Sequence, residues 1–291
     1  MADPNRHELY TAHELSFKSD EGRTLDETIM HEIATQEHTL AVEQQRLQHD
    51  ANLLWQARKL LGGRKVCGFM GGHRRVMRGS KEFATCAKLA LLLAQSDCVI
   101  LQGGGPGAME AAALGAYFSQ FDLGNDKLDL ALDILALAPD FTDQKNWLAQ
   151  ANEVLNKFPS TSNKLLSLGV PTWVYGHEPS NLFSTQLCKC FNNALREEFL
   201  TKECNHTVYF FPGSMGTFQE AFQVGCLVHY NLSHTRLVFV GKEFWTKEIQ
   251  LYPMLEDWAS KQGKGKWEPE NFLLSLQDED QLLKLAVRVK D

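Results

Sequence analysis

The chain has 291 residues, with 29 Lys and Arg against 36 Asp and Glu, which gives a formal net charge of −7 at pH 7. No run of basic residues occurs, and this argues against nucleic acid or an anionic membrane surface as a partner. No apolar stretch is long enough to span a bilayer, and the first twenty residues are polar, so we expect a cytoplasmic protein. The length suffices for a large core, and one wide α/β sheet can use all of it.

Residues 1–62 differ in pattern from the rest of the chain. Thr24 and Glu27 have the spacing of a capping box, and apolar residues then recur at helical intervals among many Glu, Gln and His. The pattern ends at Gly62 and Gly63, which are natural residues for a helix stop. We therefore expect an N-terminal helical extension that packs on the main domain or on a second subunit.

From residue 63 onward, short apolar runs alternate with helical patterns. The predicted strands are 66–70, 98–101, 134–138, 172–175, 208–211, 237–240 and 272–276. The predicted helices are 80–94, 108–117, 182–202, 217–229 and 244–260, with 146–157 helical or irregular and a last helix capped at 278–281. This alternation predicts an α/β domain over residues 63–291, a Rossmann-like, doubly wound and mainly parallel sheet with right-handed crossovers.

Three of the predicted strands end in glycine-rich turns, namely Gly71-Gly72-His73, residues 103–107 and residues 213–216. In such sheets ligands bind beyond the carboxyl ends of the strands, so the three turns can converge on one crevice. The alternative is that the glycines only permit tight turns. His73 is correspondingly either a substrate contact or a turn residue.

The third turn, Pro212-Gly213-Ser214-Met215-Gly216, leads into a helix that we expect Thr217 to cap, with Glu220 at the capping-box spacing. Free backbone N–H groups and the positive end of a helix dipole suit an anion, typically a phosphate. Glu220 lies about one turn further along the helix. Because a carboxylate is a poor phosphate ligand, Glu220 either caps the helix or takes part in chemistry.

The second turn, Gly103-Gly104-Gly105-Pro106-Gly107-Ala108, fits the G-x-G-x-x-A dinucleotide fingerprint. It follows the second predicted strand rather than the first, however, and the next predicted strand ends without the expected acidic residue. A nicotinamide-dependent oxidoreductase is therefore the less favoured hypothesis. Glu110, in the first turn of the following helix, either contacts ribose or base or complements the helix dipole.

The segment from Pro212 to Glu220 resembles the P-G-G-x-G-T-x-x-E signature of the LOG family of nucleoside 5′-monophosphate phosphoribohydrolases, often labelled "lysine decarboxylase". The turns at 71–73 and 105–111 look like those of its long-chain relatives, the bacterial pyrimidine/purine nucleotide 5′-monophosphate nucleosidases. The resemblance covers about residues 64–290. It departs from the signature at Ser214, which replaces a glycine, and at Gln219, which replaces a frequent second Glu.

The resemblance implies hydrolysis of the N-glycosidic bond of a nucleoside 5′-monophosphate to free base and ribose 5-phosphate. It implies no metal, no organic cofactor and a homodimer or higher homo-oligomer. The family's catalytic pair is the signature Glu, which is Glu220 here, and an Arg on the preceding helix. Arg196 takes that role, since no other arginine lies between Arg78 and Arg236. Without the resemblance, Arg196 would be interpreted as a surface charge on an amphipathic helix.

The turns and the resemblance together give the predicted substrate-binding residues, which are Gly71, Gly72, His73, Gly104, Gly105, Gly107, Ala108, Met109, Glu110, Gly213, Ser214, Met215, Gly216 and Thr217. A nucleotide sensor or carrier that binds without cleaving is the alternative. A decarboxylase using pyridoxal phosphate would need a Schiff-base lysine. Lys164 is the candidate by default, and we reject that hypothesis.

Overall fold

The computed structural model describes residues 3–17, 22–160, 162–176, 178–261 and 272–274. Seven strands occur in this part of the chain: β1 (Lys65–Met70), β2 (Cys98–Gln102), β3 (Ser167–Gly169), β4 (Gln186–Leu187), β5 (Thr207–Phe210), β6 (Arg236–Phe239) and β7 (Phe272–Leu274). They form one sheet in the order β4-β3-β2-β1-β5-β6-β7, and every neighbouring pair is parallel. The predicted α/β class with a doubly wound parallel sheet is confirmed.

Helices flank the sheet and connect most of its strands. In the described residues they are α1 (Ala12–Ser16), α2 (Leu25–Thr35), α3 (Leu40–Leu61), α4 (Lys81–Gln95), α5 (Ala108–Phe118), α6 (Gly124–Leu135), α7 (Gln144–Lys157), α8 (Asn193–Lys202), α9 (Met215–His229) and α10 (Leu251–Lys261). A π-helix, Phe244–Glu248, precedes α10. None of these helices is long and apolar enough to cross a membrane.

The strand order reverses between β1 and β5. The chain runs outward from β1 through β2 and β3 to β4, and then returns to place β5 on the other side of β1. In open α/β sheets this reversal marks the crevice where ligands bind. The loops after β1 and β5 meet there directly, because the Gly72 amide donates a hydrogen bond of 3.0 Å to the Pro212 carbonyl.

The central strands were predictable because both of their faces are covered. Every residue of β2 and β5 is buried, and in β1 only Lys65 is exposed. Strands of this kind show as continuous apolar runs in the sequence. The predicted strands at 66–70, 98–101, 208–211 and 237–240 are confirmed within a residue or two.

Two predicted strands are wrong. Residues 134–138 form the last turn of α6 and the bend after it, and the buried Leu128, Ala131 and Leu135 show that this segment follows helical spacing. Residues 172–175 form a turn, in which Thr172 makes a single bridge to Cys190. The Val174 amide bonds to the Thr172 hydroxyl at 3.2 Å, so this backbone is satisfied locally rather than by a strand ladder.

The predicted helix at 182–202 is correct only in its second half. Asn192 caps α8 by accepting from the Leu195 amide at 3.1 Å, and the chain before it forms the edge strand β4. Strands β3 and β4 have three and two residues, too few to show a period, and their pairing is non-local.

The predicted helix at 244–260 is divided in two. Gln250 has a positive φ of 55° and separates the π-helix from α10, while Pro253 lies in the first turn of α10, where its missing N–H is not needed. Residues 275–276 of the last predicted strand and the helix capped at 278–281 lie outside the described residues.

The N-terminal extension is helical, and its apolar side chains join the same buried core as the sheet. The capping box of α2 is confirmed: Thr24 and Glu27 exchange hydrogen bonds of 2.8 and 3.0 Å. Tyr10 pairs with Leu187 of β4 through two backbone hydrogen bonds of 2.8 Å. The carboxylate of Asp50, on α3, accepts from the amides of Phe191 and Asn192, so the extension also holds the start of α8.

Candidate functional site

A cavity of about 310 Å³ lies at the reversal of the strand order, beyond the ends of β1, β2 and β5. All three glycine-rich turns contribute to its wall. Eleven of the predicted site residues line it: Gly71, Gly72, His73, Gly105, Met109, Arg196, Ser214, Met215, Gly216, Thr217 and Glu220. The expectation that the three turns converge on one crevice is therefore met by the geometry.

Gly104, Gly107, Ala108 and Gly213 were predicted to bind substrate, but they do not line the cavity. The three glycines among them lie in close contacts instead. A Cβ on Gly213 would lie 2.1 Å from Thr217 Oγ1, and one on Gly104 would lie 2.6 Å from the Pro171 ring.

The first and second turns pack together in the same way. Gly107 has a positive φ of 76°, and a Cβ there would lie 2.5 Å from the Cα of His73. A Cβ on Gly71 would lie 2.8 Å from that of Ala108. The glycines at these positions therefore allow tight packing. This supports the alternative that they only permit tight turns and do not bind substrate.

Glu110 is also absent from the cavity wall, so the geometry favours the structural one of its two interpretations over a contact with ribose or base. It is fully buried and forms an ion pair with Arg78, whose Nε lies 3.0 Å from Glu110 Oε2. Burial raises the pKa of Glu110, and the charge of Arg78 opposes the rise. Its position in the first turn of α5 is thus a structural one.

The amino end of α9 forms one wall of the cavity. The helix begins at Met215 rather than Thr217, and Ser214 is the N-cap without a side-chain capping bond. The φ of Ser214 is −125°, so a Cβ fits where the signature has glycine. The amides of Met215, Gly216 and Thr217 are the first of the helix and have no intrahelical acceptor. A Cβ on Gly216 would meet no atom within 4 Å, so the space there is open.

Glu220 lies on α9 three residues beyond Thr217, which corresponds to about 4.5 Å along the helix axis. It does not cap the helix, because α9 begins five residues earlier. Its side chain lines the cavity although the residue is only 7% exposed. Burial and the charge of Glu197 together raise the pKa of Glu220 to about 8, while Arg196 acts in the opposite direction.

Arg196 reaches the same cavity from α8 and is 7% exposed, so its interpretation as a surface charge is wrong. Its Nε donates to the Val170 carbonyl at 2.7 Å and its Nη2 to the Gly103 carbonyl at 3.4 Å. A Cβ on Gly103 would lie 2.5 Å from that Nη2 atom, so a side chain there would displace the guanidinium. Arg196 Nη1 pairs with Glu197 Oε1.

Glu197 is the main site residue that the sequence analysis missed. It lines the cavity and is 3% exposed, and its Oε2 atom has no hydrogen-bond partner among the described residues. Leaving such a buried oxygen unpaired costs about 1–3 kcal/mol. The available signal was its place next to Arg196 on one helix, but the local pattern gave Glu197 no role of its own.

Tyr175 and Glu178 also line the cavity, and Glu178 forms an ion pair of 3.1 Å with His73 Nδ1. No local pattern marked them: Tyr175 was predicted to end a strand, and Glu178 lies beyond it with no motif around it. Among the described residues, no group of three or more His, Cys, Asp or Glu side chains is arranged to hold a metal ion.

The fold and this cavity define an α/β protein with a ligand crevice at the point where its strand order reverses. In comparisons with known proteins, no family model matches the chain, and no curated protein matches it.

Proposed function

We propose that the chain hydrolyses the N-glycosidic bond of nucleoside 5′-monophosphates, releasing the free base and ribose 5-phosphate. One observation carries the proposal: a single cavity combines the open amides at the start of α9 with a buried carboxyl of raised pKa, Glu220, close to Arg196. The amides suit a phosphate, and the carboxyl suits the sugar that follows it.

Phosphate binding at Met215, Gly216 and Thr217 orients the nucleotide, so that its sugar lies about one helical turn along, at Glu220. Cleavage of the glycosidic bond develops positive charge on the sugar and leaves negative charge on the base. With a pKa of about 8, the Glu220 carboxyl holds a proton at neutral pH and is able to donate it to the base. Water then adds to the anomeric carbon, and the proton it loses restores Glu220.

Arg196 has two roles in this proposal. Its positive charge acts on Glu220 and stabilises the carboxylate formed after proton donation. It also offers a donor to a phosphate or sugar oxygen.

One feature favours the second candidate, a nucleotide sensor or carrier. Each nitrogen of Arg196 already donates to a protein atom, namely Val170, Gly103 and Glu197. An arginine held in this way has less freedom to engage a substrate. Binding at the amides of α9 requires neither Arg196 nor Glu220, so a pocket that binds without cleaving is chemically reasonable.

Incubation of the purified full chain with nucleoside 5′-monophosphates of all the common bases distinguishes the hydrolase from the sensor or carrier. We expect equal amounts of free base and ribose 5-phosphate, with the matching nucleosides and 3′-monophosphates cleaved at least about 100-fold more slowly because they lack the oriented phosphate. Bound but intact nucleotide would support the sensor. Reduction of a nicotinamide cofactor would instead support an oxidoreductase.

The cytoplasmic location and the homo-oligomer remain predictions from the sequence. Sedimentation of the purified chain at several concentrations measures its oligomeric state, and we expect a dimer or a larger assembly. A monomer throughout would contradict that expectation.

A further inference from the structure

Glu197 has a feature that the proposed mechanism does not use. Its Oε1 atom accepts from Arg196, whereas its Oε2 atom is buried and has no hydrogen-bond partner among the described residues. The residue is 3% exposed and lines the cavity. Buried oxygens of folded proteins are nearly always paired, so an unpaired one beside a cavity calls for a donor from outside the protein.

A nucleotide consists of a phosphate, a sugar and a base. Their order along the molecule restricts which of them can donate a hydrogen bond to Glu197. The phosphate is an anion, so it is repelled by Glu197 and is favoured at the amino end of α9. The sugar comes next, and Glu197 is close enough to Glu220 for their charges to interact. Because Glu220 is the group assigned to the anomeric carbon, the donors nearest to Glu197 are the hydroxyls of the sugar.

We propose that Glu197 accepts a hydrogen bond from the 2′-hydroxyl of the substrate and thereby selects ribonucleotides over 2′-deoxyribonucleotides. This rests on the proposed function, and it adds a specificity residue to the pair of Glu220 and Arg196. A site built to bond a substrate hydroxyl discriminates strongly against the analogue that lacks it, because the buried partner is then left unpaired.

A cycle of two substrates and three proteins tests the assignment. The substrates are one nucleoside 5′-monophosphate and its 2′-deoxy counterpart, and the proteins are wild type, Glu197→Gln and Glu198→Gln. Glu198 is the matched control, because it follows on the same helix but is exposed and pairs with Lys202.

We expect the wild type to prefer the ribonucleotide by about 10–100-fold in kcat/KM, the range for a hydrogen bond to a charged group. In Glu197→Gln this preference should shrink by about that factor, whatever common change both rates undergo because the charge of Glu197 also acts on Glu220, whereas Glu198→Gln keeps the wild-type preference and rates. A Glu197→Gln variant that retains the wild-type preference, or a wild type without preference, would overturn the assignment. The wild-type preference needs no variant and is therefore independent of folding defects.

Binding separates this inference from the proposed function. Titration calorimetry with ribose 5-phosphate and 2-deoxyribose 5-phosphate gives the same comparison without turnover. If no nucleotide is cleaved but the wild type binds the ribose form more tightly, and Glu197→Gln abolishes that preference, the hydrolase proposal fails and the role of Glu197 stands. Equal binding of the two sugars by the wild type refutes the role of Glu197.

Discussion

Two buried Arg–Glu pairs in the described part of the chain have the same chemistry and different surroundings. In the first, Arg78 donates to both oxygens of Glu110 and to the carbonyls of Ala138 and Trp147, and its guanidinium lies 4.3 Å over the Trp147 ring. Every group of that pair is satisfied by the protein. Neither residue lines the cavity, which agrees with a structural role.

The second pair, Arg196 and Glu197, is incomplete. Glu197 keeps one oxygen unpaired, and a second carboxyl, Glu220, lies near enough for the charge of Glu197 to raise its pKa. This arrangement costs stability, and groups with perturbed pKa values tend to gather at functional sites. Both pairs are buried, so burial does not distinguish them. The comparison teaches that the structural pair has all its polar atoms hydrogen-bonded within the protein, whereas the functional pair has one that is not.

Arg78→Met should have the largest effect. Removing the arginine leaves Glu110 buried without its partner, so we expect a loss of about 3–5 kcal/mol in the free energy of unfolding. Urea denaturation measures it. The double variant Arg78→Met/Glu110→Leu is the control, and it should recover much of the loss because no buried charge remains. A loss below about 1 kcal/mol is typical of an exposed ion pair and would contradict the burial of this one.

Asp50 provides a second satisfied acid and sharpens the comparison. It accepts from the amides of Phe191 and Asn192 and pairs with His49 Nδ1 at 2.9 Å. Asp50→Ala leaves these donors unpaired, so we expect a loss of about 2–3 kcal/mol in the free energy of unfolding.

The control for that variant is Asn52→Ala on the same helix, which removes one hydrogen bond to the Pro4 carbonyl. It should cost less than about 1 kcal/mol. Similar melting temperatures for the two variants would show that the buried carboxylate contributes little to holding α8.

The pH dependence of stability tests the incomplete pair. Because the pKa of Glu220 is raised from 4.5 to about 8 in the folded protein, the folded chain holds a proton between these values that the unfolded chain has released. The free energy of unfolding therefore falls as pH rises through this interval. Glu220→Gln lacks this ionisation, so it should gain stability relative to wild type by about 1.4 kcal/mol for each pH unit within this interval. Parallel stability curves of the two proteins from pH 5 to 9 would contradict the raised pKa.

The sequence predicted the parts of the fold whose information is local. The continuous apolar runs at β1, β2 and β5 and the glycine-rich turns that follow them were sufficient to place the crevice. Strands β3 and β4 were missed because they have three and two residues and depend on pairing with distant parts of the chain.

The two glutamates show the same limit at the candidate site. Glu110 follows a glycine-rich turn and was predicted to bind substrate, but its partner Arg78 is 32 residues away and could not be identified from spacing. Glu197 stands next to Arg196 and is buried, but its sequence context gave it no role. Whether a charged side chain on a helix is buried depends on what packs against that face, and the local pattern does not contain this information.

The most direct test of the central claim is the rate of base release from a nucleoside 5′-monophosphate by wild type and by Glu220→Gln at pH 7. If Glu220 donates the proton to the leaving base, the variant should bind the nucleotide with similar affinity and release base at least about 1000-fold more slowly. A variant that keeps its turnover within about tenfold of wild type would contradict the role of Glu220, and with it the hydrolase mechanism.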